Sequence, residues 1–335
     1  MPFGVNIDLD RKARVTLLVA ILLAGVLLYF SFRGIDMAEL EKTLKSARFA
    51  PLFMASILSM IALWLRSYRW RVLLNCSNTL PIGMVFWANA LGYLGNNVLP
   101  ARMGELLRVE ALKRCYEISR SFLLATALIE RVMDAGVLVL FTSAALITIP
   151  GLPHWLQRAS KTFSILSSIG ILGLFLLPHA EKYVLRILSG IPKLSSVVLR
   201  FLDGLRSLHS WWRSSQFLLL TLVIWPMDSY TGVLVAQSID VPLQFQTSMV
   251  VLAALGLSSA VPSTPGYVGV FQFVAVNVLS PFGISNAAAL AWILIYQAVT
   301  YVVQAIFGLI GFGVLSKFQA SQVPGATPSP LPLDV

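Results

Sequence analysis

The fold is decided by the stretch GNNVLPARMGELLR, residues 95–108. Two asparagines, a proline and a Gly-Glu pair between two arginines end a run, 72–101, that is otherwise uncharged. Broken helix and charge are tolerated at membrane depth only where protein buries them or water reaches them. The stretch therefore predicts a helix break that faces the protein interior.

The rest of the chain has the composition of a membrane protein. Of its 335 residues, 57% are hydrophobic and 12% are charged, whereas soluble domains carry roughly 25% charged residues. The run 241–316 contains no charged residue and no histidine, and it exceeds the length of one span, which is about 20 residues. We therefore expect an all-α polytopic membrane protein.

The basic residues indicate where the chain lies and what it contacts. Three of them, at 11, 12 and 14, precede the first apolar run like a secretory signal, but LLYFSFRG (27–34) lacks a small-residue cleavage pattern. We interpret this run as an uncleaved span. The net charge of +10 is attributed to cytoplasmic loops and anionic lipid rather than to nucleic acid. Cys76 and Cys115 show no metal or redox spacing, and no cofactor or metal is expected.

Charge bias selects the topology. Six segments are predicted to cross the membrane: 15–32, 49–65, 120–149, 162–178, 216–239 and 286–316. Two further segments, 82–114 and 247–281, contain Pro, Gly and polar breaks. If both are re-entrant and both termini are cytoplasmic, 18 Lys and Arg residues lie inside and six outside. Full crossings give nine against 15, so the positive-inside rule predicts six crossings and two oppositely oriented re-entrant segments in the inner membrane.

The remaining organisation is simple. Residues 1–14 are predicted to be cytoplasmic, and 15–316 form one transmembrane domain. Within it, 36–48 and 180–213 are predicted to be amphipathic helices along the interface. The Pro-rich tail 317–335 is predicted to be disordered.

The two breaks resemble each other. NNVLPARMG (96–104) and SSAVPSTPG (258–266) share two polar residues, an aliphatic-Pro pair and a glycine four residues after the proline. Discontinuous segments at corresponding places in two halves are typical of a transporter's binding site. The alternative is two unrelated kinks.

The first break has the groups needed to bind a phosphate. A helix that begins near Met103 offers free N–H groups and a positive dipole end to an anion, and Glu105 is spaced to pair with Arg108. The alternative is that the arginines only reach for the cytoplasmic surface and that the glutamate caps the helix. The predicted binding residues of this stretch are Asn96, Asn97, Pro100, Arg102, Gly104, Glu105 and Arg108.

Ionisable residues also lie within a predicted span, in IERVMDAGV (129–137). Glu130, Arg131 and Asp134 share one helix face, and such groups mark an internal partner or a pathway. If Glu130 pairs with an arginine of the first break, the two motifs form one network. The alternative is a structural salt bridge.

The second break is predicted to act as a gate, or else to pack small residues tightly. Its candidate residues are Ser259, Pro262, Thr264, Pro265, Gly266, Gly269 and Gln272. Asp228, after Pro226, is a lone acid within a span and is interpreted as a proton carrier or a kink cap.

Three motifs together resemble one family. N-N-x-L-P-A-R-x-G-E-x-x-R (96–108), E-R-x-x-D (130–134) and P-x-x-P-G-x-x-G (262–269) resemble the flippase-like transmembrane family, the membrane region of lysylphosphatidylglycerol synthases. The resemblance covers about 15–316. It implies a helical bundle with re-entrant helices that moves aminoacylated phosphatidylglycerol between leaflets, and relatives linked to envelope glycolipid or S-layer glycan pathways. The shared positions are Asn97, Pro100, Arg102, Gly104, Glu105, Arg108, Glu130, Arg131, Asp134, Pro262, Pro265 and Gly266.

Two features depart from the family pattern. Tyr267 and Gln272 stand where relatives commonly have Gly and an acidic residue, so the handling of charge at the second break is expected to differ. The chain ends at 335 without a soluble aminoacyl-transferase domain, and we do not expect it to transfer lysine from tRNA.

The resulting hypothesis is an inner-membrane transporter of an anionic phospholipid or polyprenyl-phosphate lipid. Expected partners are that lipid and lipid-modifying or glycosyltransferase enzymes. No catalytic constellation such as a nucleophile elbow, P-loop or Asp-rich pair is found, so an enzyme is not expected. The alternatives are an intramembrane lipid-headgroup enzyme, with Glu105 and Glu130 as acid and base, and a non-transporting envelope scaffold.

Overall fold

The structure is a computed structural model that describes residues 11–74, 80–99, 102–116, 118–148, 154–177, 202, 204–259 and 264–321. The regular structure of these residues is helical, with no strand among them. The α-helices are α1 (Arg11–Phe32), α2 (Met37–Lys45), α3 (Phe49–Leu74), α4 (Ile82–Val98), α5 (Met103–Cys115), α6 (Arg120–Thr148), α7 (His154–Leu176), α8 (Trp211–Ser238), α9 (Phe245–Ser258), α10 (Val270–Leu279) and α11 (Asn286–Ser321).

Each of the six predicted crossings corresponds to a helix: α1, α3, α6, α7, α8 and α11. Some boundaries differ. Helix α3 continues to Leu74, and α11 continues to Ser321, so 317–321 of the predicted tail are helical. The rest of that tail, 1–10 and most of 180–213 lie outside the described residues.

Length and composition alone qualify five described segments as membrane spans: Phe49–Leu74, Arg158–Leu176, Trp211–Ser238, Pro265–Phe282 and Asn286–Ser321. The bent pair Ile21–Phe32 and Met37–Lys45 would make a sixth. Helix α6 has 29 residues and carries three ionisable residues, Glu130, Arg131 and Asp134, near its middle. Partners for those residues are needed if it is to cross a bilayer.

Helix α2 lies across the end of α1, since the two helices meet at 91°. The carboxylate of Asp36 caps its start and accepts hydrogen bonds from the backbone N–H groups of Ala38 and Glu39 at 2.9 and 3.1 Å. Leu40 is its buried contact with the bundle. Helix α2 thus lies within the predicted segment 36–48, and its place along the membrane interface stays a prediction.

Helices α4 and α5 form an antiparallel hairpin, here called the first hairpin. Its open ends lie together, because Leu80 and Ile118 belong to one hydrophobic cluster with Val85 and Leu112. The two helices touch through glycine: a Cβ on Gly104 would overlap the carbonyl oxygen of Gly92. The chain therefore enters and leaves at the same end, as predicted for a re-entrant segment.

Helices α9 and α10 form the second hairpin, joined through the 3₁₀ turn Pro265–Tyr267. Leu243 and Leu279, at its open end, lie in one hydrophobic cluster. Positive φ angles at Gly266 (64°) and Gly269 (88°) turn the chain before α10 begins, as glycine allows.

Helix α11 shows that the hairpins enter from opposite ends. Its 36 residues extend roughly 54 Å. Ala287, in its first turn, packs in the same cluster as the open end of the second hairpin. Leu315, near its other end, packs with the open end of the first hairpin. The predicted pair of oppositely oriented broken segments is thus confirmed.

Candidate functional site

The tips of the two hairpins meet near the middle of α11. The guanidinium of Arg102, in the first hairpin, donates a hydrogen bond to the hydroxyl of Ser259, in the second. The same guanidinium lies 5.9 Å from the ring centroid of Tyr267, within the range of a cation–π contact. Arg102 and Tyr267 both have φ of 55°, a strained backbone conformation for residues other than glycine and one that clusters at functional sites.

A cavity of about 190 Å³, here called the central cavity, lies where the tips meet. Residues of both hairpins and of α3, α6, α8 and α11 line it. The polar and aromatic lining residues are Ser59, Arg66, Tyr93, Asn96, Asn97, Arg102, Arg131, Asp134, Trp225, Asp228, Ser259, Tyr267, Phe271, Tyr296, Thr300, Tyr301 and Gln304.

Glu130 joins three helices beside the cavity. Its Oε2 lies 2.9 Å from Arg108 Nη2 on α5, and its Oε1 lies 3.3 Å from Arg69 Nη2 on α3. The side chains of all three residues are at most 4% exposed. Arg108 also donates to Asn89 Oδ1 at 3.0 Å and lies 4.4 Å from the ring centroid of Trp70. The first break and the motif of α6 therefore form one network, as the conditional prediction stated.

Asp134 is held by α3. Arg69 donates to both of its oxygens, with Nη1–Oδ1 at 2.5 Å and Nη2–Oδ2 at 3.1 Å, and Trp225 Nε1 donates to Oδ1 at 3.1 Å. A bidentate arginine contact is the strong form of such a pair.

Arg131 reaches the first hairpin. Its Nε donates to Glu105 Oε1 at 2.7 Å, while its Nη1 lies 3.9 Å from Asp134 Oδ2. Glu105 therefore pairs with α6, and the predicted Glu105–Arg108 pair is not formed. The i,i+3 spacing allows that pair, but each residue pairs instead with α6: Glu105 with Arg131, and Arg108 with Glu130.

Asp228 also has a partner. Arg66 on α3 donates from both terminal nitrogens to the two oxygens of Asp228, and Arg66 lies 5.7 Å from the ring centroid of Trp225. The description of Asp228 as a lone acid was wrong, because α3 continues past residue 65 and brings Arg66 beside it. A role as proton carrier remains a prediction.

The network has one positive charge in excess. Its five arginines are Arg66, Arg69, Arg102, Arg108 and Arg131, and its four carboxylates are Glu105, Glu130, Asp134 and Asp228. Among the described residues, no carboxylate lies within ion-pair distance of Arg102. At the tip of the first hairpin, Arg102 Nε and Asn96 Oδ1 are buried and have no hydrogen-bond partner among the described residues.

The second break is fixed by amides of α10 and α11. Gln272 accepts from Gly269 N at 2.7 Å and donates to Gln297 Oε1 at 2.6 Å. Gln297 and Tyr301 both donate to the carbonyl oxygen of Gly266, at 3.1 and 2.7 Å. These bonds satisfy backbone groups that the irregular turn leaves outside a helix.

The structure separates the predicted binding residues into two sets. Asn96, Asn97, Arg102, Arg131 and Asp134 line the central cavity. Gly104, Glu105, Arg108 and Glu130 lie behind them, in the hairpin contact and the ion pairs. Pro100 and Pro262 lie outside the described residues.

The predicted gate residues are also divided. Ser259 lines the cavity and bonds Arg102, whereas Thr264 donates to the carbonyl oxygen of Val268 at 2.8 Å. Pro265 and Gly266 form the 3₁₀ turn. Gly269 packs on α1, where an added Cβ would come within 2.6 Å of the carbonyl oxygen of Ala24.

Sequence reasoning missed the contribution of α3. Arg66 and Arg69 were among the 18 Lys and Arg residues counted as cytoplasmic in the charge bias, and the structure shows that both pair with carboxylates of α6 and α8. The signal was present: the acids at 130, 134 and 228 needed cations, and Arg66 and Arg69 continue the helix by one turn at i,i+3. Within the described ranges, no group of three His, Cys, Asp or Glu side chains is placed to hold a metal.

These features define a class: a polytopic helical membrane protein in which two opposed helical hairpins meet at a charged internal cavity. The family follows from sequence. The profile described as the lysylphosphatidylglycerol synthase TM region matches residues 17–308, and the chain belongs to this family.

Three curated proteins are similar to the chain. A UPF0104 membrane protein of Methanocaldococcus jannaschii is 26% identical over 66% of this chain and 94% of its own length. A second UPF0104 membrane protein of that organism is 22% identical over 90% of this chain and 95% of its own length. The glycosyltransferase AglD of Haloferax volcanii is 24% identical over 88% of this chain, which corresponds to 54% of AglD. No solved structure matches the chain significantly.

Proposed function

We propose that the protein is a transporter that moves an anionic phospholipid or a polyprenyl-phosphate lipid between the leaflets of the cytoplasmic membrane. The observation that carries this proposal is the central cavity between the opposed hairpin tips, with Arg102 as a cation that has no carboxylate partner among the residues that the structure describes. A lipid phosphate that leaves water needs such a charge, because an unpaired anion is strongly disfavoured in an apolar medium.

The architecture supports movement between two sides. Broken segments related by inverted topology are the sites at which transporters bind their substrates, and rocking of one half against the other alternates access. Here the contact between the halves at the tips includes the Arg102–Ser259 hydrogen bond and the cation–π contact with Tyr267. A phosphate that binds Arg102 would compete with Ser259 for its donors, so binding and opening of the tips would be linked.

The relatives support the choice of lipid class. The family description names a synthase of a phospholipid, and one similar protein is described as a glycosyltransferase. We infer that lipid-modifying or glycosyltransferase enzymes supply or consume the transported lipid, and that this chain itself catalyses no covalent step.

Purified protein in vesicles that contain phosphatidylglycerol labelled on its acyl chain tests the proposal, with a membrane-impermeant reductant to bleach the outer leaflet. We expect the wild type to expose inner-leaflet lipid and Arg102→Gln to slow this by about tenfold, one unit of charge at a low-dielectric site being worth more than 1.4 kcal/mol. Arg33→Gln, at an exposed arginine, is the control. Equal rates for the wild type, Arg102→Gln and empty vesicles would overturn the proposal. Covalently changed lipid in the same vesicles, detected by mass spectrometry, would favour an enzyme instead.

A further inference from the structure

The two carboxylates that line the central cavity already have cationic partners. Asp134 receives both terminal nitrogens of Arg69, and Asp228 receives both terminal nitrogens of Arg66. Asp134 also accepts from Trp225 Nε1 at 3.1 Å. The negative charge of each carboxylate is therefore already balanced by an arginine, so a cation of the substrate would meet no uncompensated negative charge at either one.

Three aromatic rings that line the cavity are already in contact with a guanidinium group or with another ring. The rings of Trp225 and Tyr267 already lie 5.7 and 5.9 Å from the guanidinium groups of Arg66 and Arg102. Tyr296 stacks on Trp292, with ring centroids 5.3 Å apart. These three rings, which could otherwise attract an ammonium group, are therefore engaged with an arginine or with another ring.

Besides these two carboxylates, the charged residues of the described lining are the arginines Arg66, Arg102 and Arg131, and the remaining hydrogen-bonding groups are neutral. Asn97 Nδ2 donates to Gln304 Oε1 at 2.9 Å, and both residues line the cavity. Gln304 thus supplies an acceptor with no charge at a position where a carboxylate of the same size would accept the same hydrogen bond.

We infer that the central cavity selects a lipid headgroup that has net negative charge and excludes one that carries an ammonium group, such as the lysyl ester of phosphatidylglycerol. This inference rests on the proposed function and specifies its substrate class. Arg102 attracts the phosphate. Gln304 carries no charge, so it provides no counter-charge for an ammonium group. A buried ammonium has three donors, and burial without a counter-charge is strongly unfavourable, so discrimination arises from what the cavity lacks as well as from what it holds.

Vesicles with acyl-labelled phosphatidylglycerol or acyl-labelled lysylphosphatidylglycerol test this selectivity. We expect the wild type to move the anionic lipid about tenfold faster than the lysyl lipid, and Gln304→Glu to narrow this ratio by about tenfold, because the added carboxylate neutralises the excess charge and pairs the ammonium. Gln304→Leu is the structural control: it removes the acceptor without adding charge and should lower both rates with the ratio unchanged.

The outcomes separate the two claims. If the wild type moves neither lipid, the proposed transport of a phospholipid fails. If it moves the lysyl lipid as fast as the anionic one, or if Gln304→Glu leaves the ratio unchanged, transport stands and the selectivity inference is overturned.

A free phosphate offers the same chemistry as a headgroup, and a second measurement distinguishes them. The same vesicles are incubated with radiolabelled inorganic phosphate. Lipid movement without phosphate uptake supports a lipid headgroup as the ligand of Arg102. Phosphate uptake without lipid movement would assign the cavity to a soluble anion and overturn both claims.

Discussion

Arg102 and Ser259 lie 157 positions apart in the chain, yet the guanidinium of one donates to the hydroxyl of the other at the point where the two hairpins touch. Arg102 has no carboxylate partner among the described residues. At this contact between the halves, the charged guanidinium of Arg102 thus donates to a neutral acceptor, the hydroxyl of Ser259. An anion can displace that acceptor more easily than it could displace a buried carboxylate.

This contact predicts that tying the tips together stops transport. In a background with Cys76→Ser and Cys115→Ala, we expect Arg102→Cys with Ser259→Cys, joined by a short bifunctional thiosulfonate reagent, to lose lipid movement beyond the loss from the uncrosslinked pair. A reductant should restore the uncrosslinked rate, because it frees the halves to rock. Single-cysteine variants treated with the reagent are the controls. An unchanged rate in the crosslinked protein would show that the tips need not separate.

Arg69 is predicted to be the main structural cation of the network. It contacts Glu130 at 3.3 Å and Asp134 at 2.5 Å, and its side chain is 3% exposed. Removal of one partner from a buried pair costs about 3–5 kcal/mol because it leaves an uncompensated charge. We expect Arg69→Met to lower the thermal unfolding temperature in detergent by several degrees, whereas Arg33→Gln, at an exposed position, should leave it unchanged. An equal melting temperature for Arg69→Met would contradict the assignment.

Much of this architecture follows from the sequence, for identifiable reasons. Apolar runs predict the crossings because a bilayer fixes their length, and Pro, Gly and charge in the first break predict the hairpin that the structure contains. A pair between Glu130 and an arginine of the first break was stated as a condition, because both segments contain charges that need partners, and the structure shows that this arginine is Arg108.

Other contacts could not be predicted from local spacing. Glu105 pairs with Arg131 and not with Arg108 because α5 and α6 pack against each other. Helical spacing within α5 cannot predict which helix packs beside it. The arginines at 66 and 69 were placed on the cytoplasmic side, after the predicted crossing 49–65, because the uncharged run ends at residue 65 although the helix continues to Leu74. In that last part of α3, Arg66 and Arg69 form long-range ion pairs, and Trp70, Leu73 and Leu74 are buried in the hydrophobic clusters of the bundle.

The opposite entry of the hairpins predicts opposite labelling of their open ends. Ser119 follows the first hairpin and Asn286 follows the second, and both residues are exposed. In the cysteine-free background, we expect Asn286→Cys to react with an impermeant maleimide in intact cells and Ser119→Cys to react only after permeabilisation, as the charge bias predicts. Labelling of both positions from one side would contradict the arrangement, and labelling of each from the side opposite to that predicted would reverse the orientation of the protein.

Gly104 is predicted to be irreplaceable, for a reason of space. A Cβ there would overlap the carbonyl oxygen of Gly92 and would come within 2.6 Å of Asn96 Oδ1. These neighbours belong to the facing helix of the same hairpin, and backbone cannot move aside as the end of a side chain can. Overpacking of this kind costs about 1–3 kcal/mol or more, and it would also shift Glu105, the next residue of α5, and Arg102, which directly precedes α5.

The matched control is Gly83→Ala in the same hairpin, where an added Cβ meets nothing within 4 Å. That change replaces glycine in a helix with the best helix former, which favours the helix by up to about 1 kcal/mol. We therefore expect Gly104→Ala to lower the melting temperature and slow lipid movement, and Gly83→Ala to keep or raise the melting temperature with the rate unchanged. The two variants make the same chemical change, so a difference between them measures the close contact of α4 and α5. Equal behaviour of the two would mean that this contact is not needed to hold the site.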